Sequence, residues 1–227
     1  MKVIATIRNA YDGKFGVPRQ SGLVEEVIST VVFEPAYRVP EALRGIEEFT
    51  HLWLIWTFDR TEREEWSPTV RPPRLGGNRR VGVFATRSPY RPNAIGLSCV
   101  KLVGMEKTRE GTVLKVAGAD LVNGTPIYDI KPYLPYTDCR SEAAGGFTDR
   151  TAKRTVEVRI PEEIARQADH DTLEALKAVL REDPRPAYQD DPERIYAFEF
   201  AGMHVEFRVE GNELQVTGIS RGSARQP

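Results

Sequence analysis

Between Trp66 and Met105 the chain carries Arg71, Arg74, Arg79, Arg80, Arg87, Arg91 and Lys101, and neither Asp nor Glu. Arginine presents a planar fork of donors that matches phosphate or carboxylate. An arginine run set among prolines and glycines, with no counter-charge, predicts an anion-binding surface rather than an ordinary solvated loop. The formal net charge is -1, so this positive field is local. Other chemistry-bearing types are sparse. Cys99 and Cys139 are the only cysteines and form no CxxC pair, and His51, His170 and His204 are scattered. A disulfide framework is excluded, and no structural metal is expected. The run LGGNRRVG at 75–82 has the spacing of neither a P-loop nor a dinucleotide loop.

These residues need a scaffold. The chain has 227 residues, 40% hydrophobic and 29% charged, a soluble globular composition. No apolar run approaches the roughly 20 residues that cross a bilayer. The N-terminus lacks the basic and apolar regions of a signal peptide, so a cytoplasmic protein without membrane contact is expected. Strands are predicted at 3–9, 23–33 and 51–58, the last (HLWLIWTF) buried on both faces with Trp53 and Trp56 in the core. Residues 40–48 read as a short helix opened by Pro40. Further strands are predicted at 81–85, 95–103, 112–117 and 127–130, with an Asn123-Gly124 hairpin turn of type I′. Many short strands between turn-rich loops suggest a β-barrel or sandwich, and no repeated βαβ pattern supports a doubly wound fold. Residues 138–154 read as a linker. Residues 155–220 read as a small α+β domain: a strand at 155–160, a helix at 161–182 that breaks near Asp169, and three strands after it.

RPPRLGGNRRVGVFATRSPYRPNAIGLS at 71–98 resembles the signature block of the TrmO (TsaA-like) family. KFGVPRQSGLV at 14–24, RGIEEFTHLWLIWTF at 44–58, ADLVNGTPIYDIKPYLPY at 119–136 and DPRPAY at 183–188 are similar to it in the same order. The resemblance implies a mainly β fold: an antiparallel β-barrel that binds S-adenosylmethionine without a Rossmann fold, over residues 1–137, followed by the small C-terminal domain. It implies a homodimer. It also implies methylation of N6 of threonylcarbamoyl-adenosine, next to the anticodon of a threonine tRNA. Matched by motif, the cofactor positions are Pro18, Arg19, Gln20, Asp59, Arg60, Arg87, Leu97, Ala117, Gly118, Ala119 and Asp120. Two positions depart from the family pattern: Ala94 stands where proline is common, and Asp59-Arg60 where a histidine often follows the Trp-rich strand.

On that reading Arg87 or Arg19 pairs with the methionine carboxylate, and Asp120 with ribose hydroxyls or the ammonium. Backbone at Ala117, Gly118 and Ala119 approaches adenine. The exocyclic nitrogen is a poor nucleophile, so a proton acceptor would help. Asp129 is the candidate base, with an ion pair to Lys131 as the equal alternative. Tyr128 or Tyr90 would stack the base and Asn93 orient it. Arg71, Arg74, Arg79, Arg80 and Arg91 would grip the anticodon stem-loop. The rivals are a non-catalytic RNA-binding barrel, a methyltransferase with another acceptor, and an enzyme using another anionic cofactor.

Overall fold

The computed structural model describes residues 1–60, 66–151, 155–185 and 191–221; the side chain of Arg74 also lies outside this description. The first strands are β1 (Ala5–Arg8), β2 (Ile28–Phe33) and β3 (His51–Thr57). There follow β4 (Thr69–Val70), β5 (Val81–Gly82), β6 (Ile95–Thr108), β7 (Gly111–Ala117) and β8 (Pro126–Pro132). Then come α1 (Pro135–Asp138), β9 (Glu157–Arg159), α2 (Glu162–Ala165) and α3 (His170–Arg181). The last elements are β10 (Tyr196–Phe200), β11 (Met203–Glu210) and β12 (Glu213–Arg221).

Six strands pair in the order β1-β2-β7-β6-β3-β8 and close back on β1 as a barrel. Every pairing in the ring is antiparallel, with β1 and β8 closing it through a short two-residue register. Inward side chains of alternate residues, among them Ile7, Leu52, Leu54, Leu114 and Ile127, fill the interior and are fully buried.

Several expectations need correction. β3 alternates between buried and half-buried residues and is not buried on both faces. Its outward Trp53 donates its indole N–H to Asp138 at 2.8 Å, so Trp53 is not a core residue. The helix expected at 40–48 is two 3-10 turns, Pro40–Leu43 and Ile46–Glu48, separated by Gly45 at φ 84°. The strand expected at 81–85 stops after Gly82, and a 3-10 turn buries Val83. Thr125 N–H closes a turn onto the Val122 carbonyl at 3.1 Å. Only its Gly124 has positive φ, at 87°, whereas type I′ needs it at both central residues. The turn also joins no hairpin, because β8 pairs with β1 and β3.

The C-terminal sheet runs β10-β11-β12-β9, with β9 parallel to β12. Asp169 caps α3, accepting from Thr172 N–H at 2.9 Å. α3 buries Leu176, Val179 and Leu180 against the sheet. The same core contains Tyr11, Val24 and Val27 from far upstream. The stretch between β1 and β2 therefore leaves the barrel, packs on the C-terminal sheet and returns. Burying each valine there contributes about 1.5–3 kcal/mol, enough to hold the crossing segment in place. β2 starts at Ile28 rather than at 23 because residues 23–27 belong to this second core.

Candidate functional site

Where the crossing segment meets the end of β3 and the start of β6, the surface opens into a cavity of about 800 Å³. Pro18, Arg19, Gln20, Asp59, Arg60, Arg87, Leu97 and Asp120 all line it, so the fold gathers eight motif-matched positions from five separate stretches. Ala117, Gly118 and Ala119 do not line it. Ala117 and Ala119 are buried. Gly118 takes φ 77°, its carbonyl accepts from Gly22 N–H at 2.8 Å, and a Cβ there would sit 3.1 Å from Gly22 Cα. At Gly118 the close backbone approach seen in the structure is that of Gly22.

The cavity wall contains a polar chain. Trp56 Nε1–H donates to Ser98 Oγ at 2.9 Å, and the Ser98 hydroxyl donates to Asp120 Oδ1. Ser98 is fully buried. Desolvation raises the Asp120 pKa; the Ser98 hydrogen bond, backbone N–H groups and the Arg87 charge work against that rise. Asp120 is thus a carboxyl strained toward its neutral form and still partly open to the cavity. Sequence reasoning missed Ser98 and left Trp56 as plain core. The available signal was that a buried indole needs a partner for its N–H, and Ser98 occupies an inward position of β6 beside it.

The cations have distinct duties. Arg87 Nη1–H donates to Gln20 Oε1 at 2.5 Å while its charge acts on Asp120. Arg60 donates to the Asn123 carbonyl at 2.7 Å, and the Arg60 carbonyl accepts from Lys14 Nζ. Arg19 Nη2 donates to the carbonyls of Asp183 at 3.1 Å and Arg185 at 2.9 Å, so it is engaged by the C-terminal part of the chain. Of the two candidate carboxylate partners, Arg87 is the better placed. Ala94 needs no proline ring for its role: its carbonyl accepts from Phe58 N–H at 2.9 Å and Thr57 Oγ1–H at 3.1 Å, anchoring the end of β3.

A second, wider groove of about 1590 Å³ shares Arg19, Gln20, Thr86, Arg87, Pro89 and Tyr90 with the first cavity. Arg71, Arg79, Arg80 and Arg150 also line it, and no Asp or Glu does among the described residues. Arg91 is not part of it. Its guanidinium holds the carbonyl of Thr86 at 3.1 Å and it lines the first cavity. Phe84, 73% exposed, stands in the groove and stacks on Trp66 with centroids 6.2 Å apart.

Asn93 lines the first cavity. Asp129 and Tyr128 line neither. Asp129 is ion-paired with Lys131 at 2.8 Å and accepts from Ile130 N–H at 2.9 Å. The alternative held open for Asp129, the ion pair with Lys131, is the one the structure displays. Among the described residues no cluster of His, Cys, Asp and Glu could hold a metal ion, and no helix is long and apolar enough to cross a membrane.

Residues 6–139 match the family described as tRNA-methyltransferase O N-terminal domain, and residues 153–222 match the TrmO C-terminal domain. The chain belongs to the TrmO family. It is 41% identical to the tRNA (adenine(37)-N6)-methyltransferase of Escherichia coli K12 over 95% of both chains. A Pseudomonas aeruginosa relative, 40% identical over 93% of both chains, carries the name of an S-adenosylmethionine-dependent methyltransferase. The crystal structure of TrmO from P. aeruginosa superposes with a TM-score of 0.79 at 32% identity, covering 98% of this chain and 97% of that one.

Proposed function

We propose that this TrmO-family chain is an S-adenosylmethionine-dependent methyltransferase acting on adenine 37 of tRNA. The specific acceptor is N6 of threonylcarbamoyl-adenosine beside the anticodon of a threonine tRNA. The observation that carries the reading is the shared wall between two unlike cavities: one with a desolvated carboxyl and aromatic rings, the other lined by arginines with no acid among the described residues. The first suits a small zwitterionic cofactor and the second a polyanion. A cofactor pocket of about 300–1,000 Å³ is typical, and the first cavity falls within that range. A bare RNA-binding module has no use for the Trp56-Ser98-Asp120 chain.

The residues fit the cofactor chemically. Arg87 would hold the methionine carboxylate. Asp120 would accept from ribose hydroxyls or the ammonium, with Ser98 fixing its orientation. Trp56 and Phe58, 4.3 Å apart between centroids, add aromatic surface to the same lining. When bound, S-adenosylmethionine supplies an electrophilic methyl on sulfonium sulfur. The protein's part is alignment: Tyr90, in the wall common to both cavities, and nearby Asn93 would place the acceptor nitrogen within roughly 3–3.5 Å for in-line attack. Phe84 on Trp66 offers a stacking surface to an unpaired loop base, as RNA-loop recognition requires. The exposed apolar side chains of Ile95 and Leu97 in the lining of the first cavity support a homodimer with the cofactor site near the subunit boundary.

Calorimetric titration with S-adenosylmethionine tests the cofactor half. We expect one site per chain in the wild type and binding weakened about tenfold or more in Arg87→Ala; equal binding by the two proteins would remove Arg87 from the site. The RNA half predicts that Arg79→Ala with Arg80→Ala lowers the slope of log affinity against log salt by about 1–2 for an anticodon stem-loop. An unchanged slope would remove these arginines from the phosphate contacts.

A further inference from the structure

The C-terminal part of the chain reaches the first cavity through residues 14–22, which it holds by apolar packing of Phe15 and Val17 and by hydrogen bonds to Arg19. Phe15 stacks on Phe207, with centroids 6.3 Å apart, and meets Phe198 edge-on at 5.9 Å. Next to it Gly16, at φ 91°, lies so close to Phe198 that a Cβ would be 2.5 Å from the ring. The second hold is Arg19, whose Nη2 donates to the carbonyls of Asp183 and Arg185.

Those two carbonyls belong to a turn shaped by a buried ion pair. Arg185 Nε–H donates to Asp183 Oδ1 at 2.9 Å and Nη2–H to Oδ2 at 3.1 Å, with side chains 4% and 7% exposed. Asp183 adopts φ 46°, in the left-handed region that Asp tolerates better than most residues. A buried ion pair is a weak source of stability, since desolvation offsets most of the attraction. Its clear product here is geometry: the bidentate fork locks the turn with both carbonyls facing Arg19. Arg19 adjoins Gln20, Gln20 accepts from Arg87, and Arg87 faces Asp120.

We propose that the Asp183–Arg185 pair is a positioning device for the cofactor cavity, so that the C-terminal domain completes the cofactor site as well as extending the molecule. Neither residue lines the cavity; both act through Arg19 and the segment 14–22. The proposal rests on the reading of that cavity as the S-adenosylmethionine site. It also reassigns Arg19 from cofactor ligand to tie.

The test compares Arg185→Ala with Leu214→Ala, which empties part of the same C-terminal core at a fully buried position of β12. Each is titrated with S-adenosylmethionine, melted, and examined by hydrogen exchange over residues 14–22. We expect Arg185→Ala to weaken binding about tenfold and to speed exchange over 14–22. Leu214→Ala should lose at least as much thermal stability yet bind like the wild type. Equal weakening by both variants would reduce the pair to general structural support and overturn the proposal. Exchange over 14–22 that stays at the wild-type rate in Arg185→Ala would also overturn it, and does so whether or not the wild type binds S-adenosylmethionine. If Arg185→Ala does not fold, Arg185→Lys, which keeps the charge and loses the fork, carries the same comparison.

Discussion

Replacing Asp120 with asparagine is expected to weaken S-adenosylmethionine binding by roughly 30-fold or more while leaving the protein at least as stable as the wild type at pH 8. The binding loss follows from removing a desolvated charge that a polar ligand group would pair with, a change that costs about 2–5 kcal/mol in comparable settings. The stability gain follows from linkage. Burial raises the Asp120 pKa above its ordinary value of 3.8. A carboxyl raised in the folded state binds its proton more tightly there than in the unfolded chain. Its contribution to stability is therefore present at low pH and lost as pH rises through the folded-state pKa. Asparagine has no such loss and can still accept from the Ser98 hydroxyl. Thermal melts in a pH series from about 4 to 8, with cofactor titrations along it, check the pair of effects. The stability difference in favour of asparagine should grow with pH, and wild-type affinity should fall as Asp120 protonates. Unchanged affinity in the variant would show that Asp120 serves the fold only.

Gly96→Ala is expected to disrupt both the barrel wall and the cofactor cavity. A Cβ at this position would lie 2.2–2.5 Å from the indole of Trp56, its cross-strand partner. The ring cannot yield easily. It is buried, hydrogen-bonded to Ser98 and packed on Phe58. Overpacking of this kind costs about 1–3 kcal/mol, and any shift of Trp56 drags Ser98 away from Asp120. Gly104, in the same strand, has open space around its would-be Cβ. Gly104→Ala should therefore melt within a degree or two of wild type, roughly the ±0.5 kcal/mol of a neutral surface change. A smaller ring, in Gly96→Ala with Trp56→Phe, should recover part of the lost stability, because contacting residues do not behave additively. If the single variant melts like wild type and binds cofactor normally, the close contact is not a constraint on function.

Much of this architecture was legible locally. Apolar and β-branched content located all six barrel strands, though not the two-residue β4 outside the barrel, and Asp169 was recognisable as a cap. The arginine block announced an anion-binding surface because like charges without counter-charges are visible in any reading of the chain. Errors fell where a local pattern had two spatial solutions. HLWLIWTF is compatible with burial on both faces, yet Trp53 lies outward because α1 supplies Asp138 for its N–H. Asn123-Gly124 marks a turn, but its type was set by how β8 returns to β1.

The candidate site divides the same way. The sequence by itself determined the strand pattern, the acid-free arginine stretch and the family motifs that named eight of the lining residues. Only the tertiary structure decided which carboxyl is desolvated, Asp120 in the cavity wall and not Asp129 beside Lys131. Only it showed that Arg19 is held by backbone 164 residues away. The reason is one of range. Strand propensity, turn chemistry and charge patterning act over a few residues and can be read in order. Desolvation and hydrogen-bond partnership depend on neighbours that the chain brings together only when the barrel has closed and the C-terminal sheet has packed against the crossing segment.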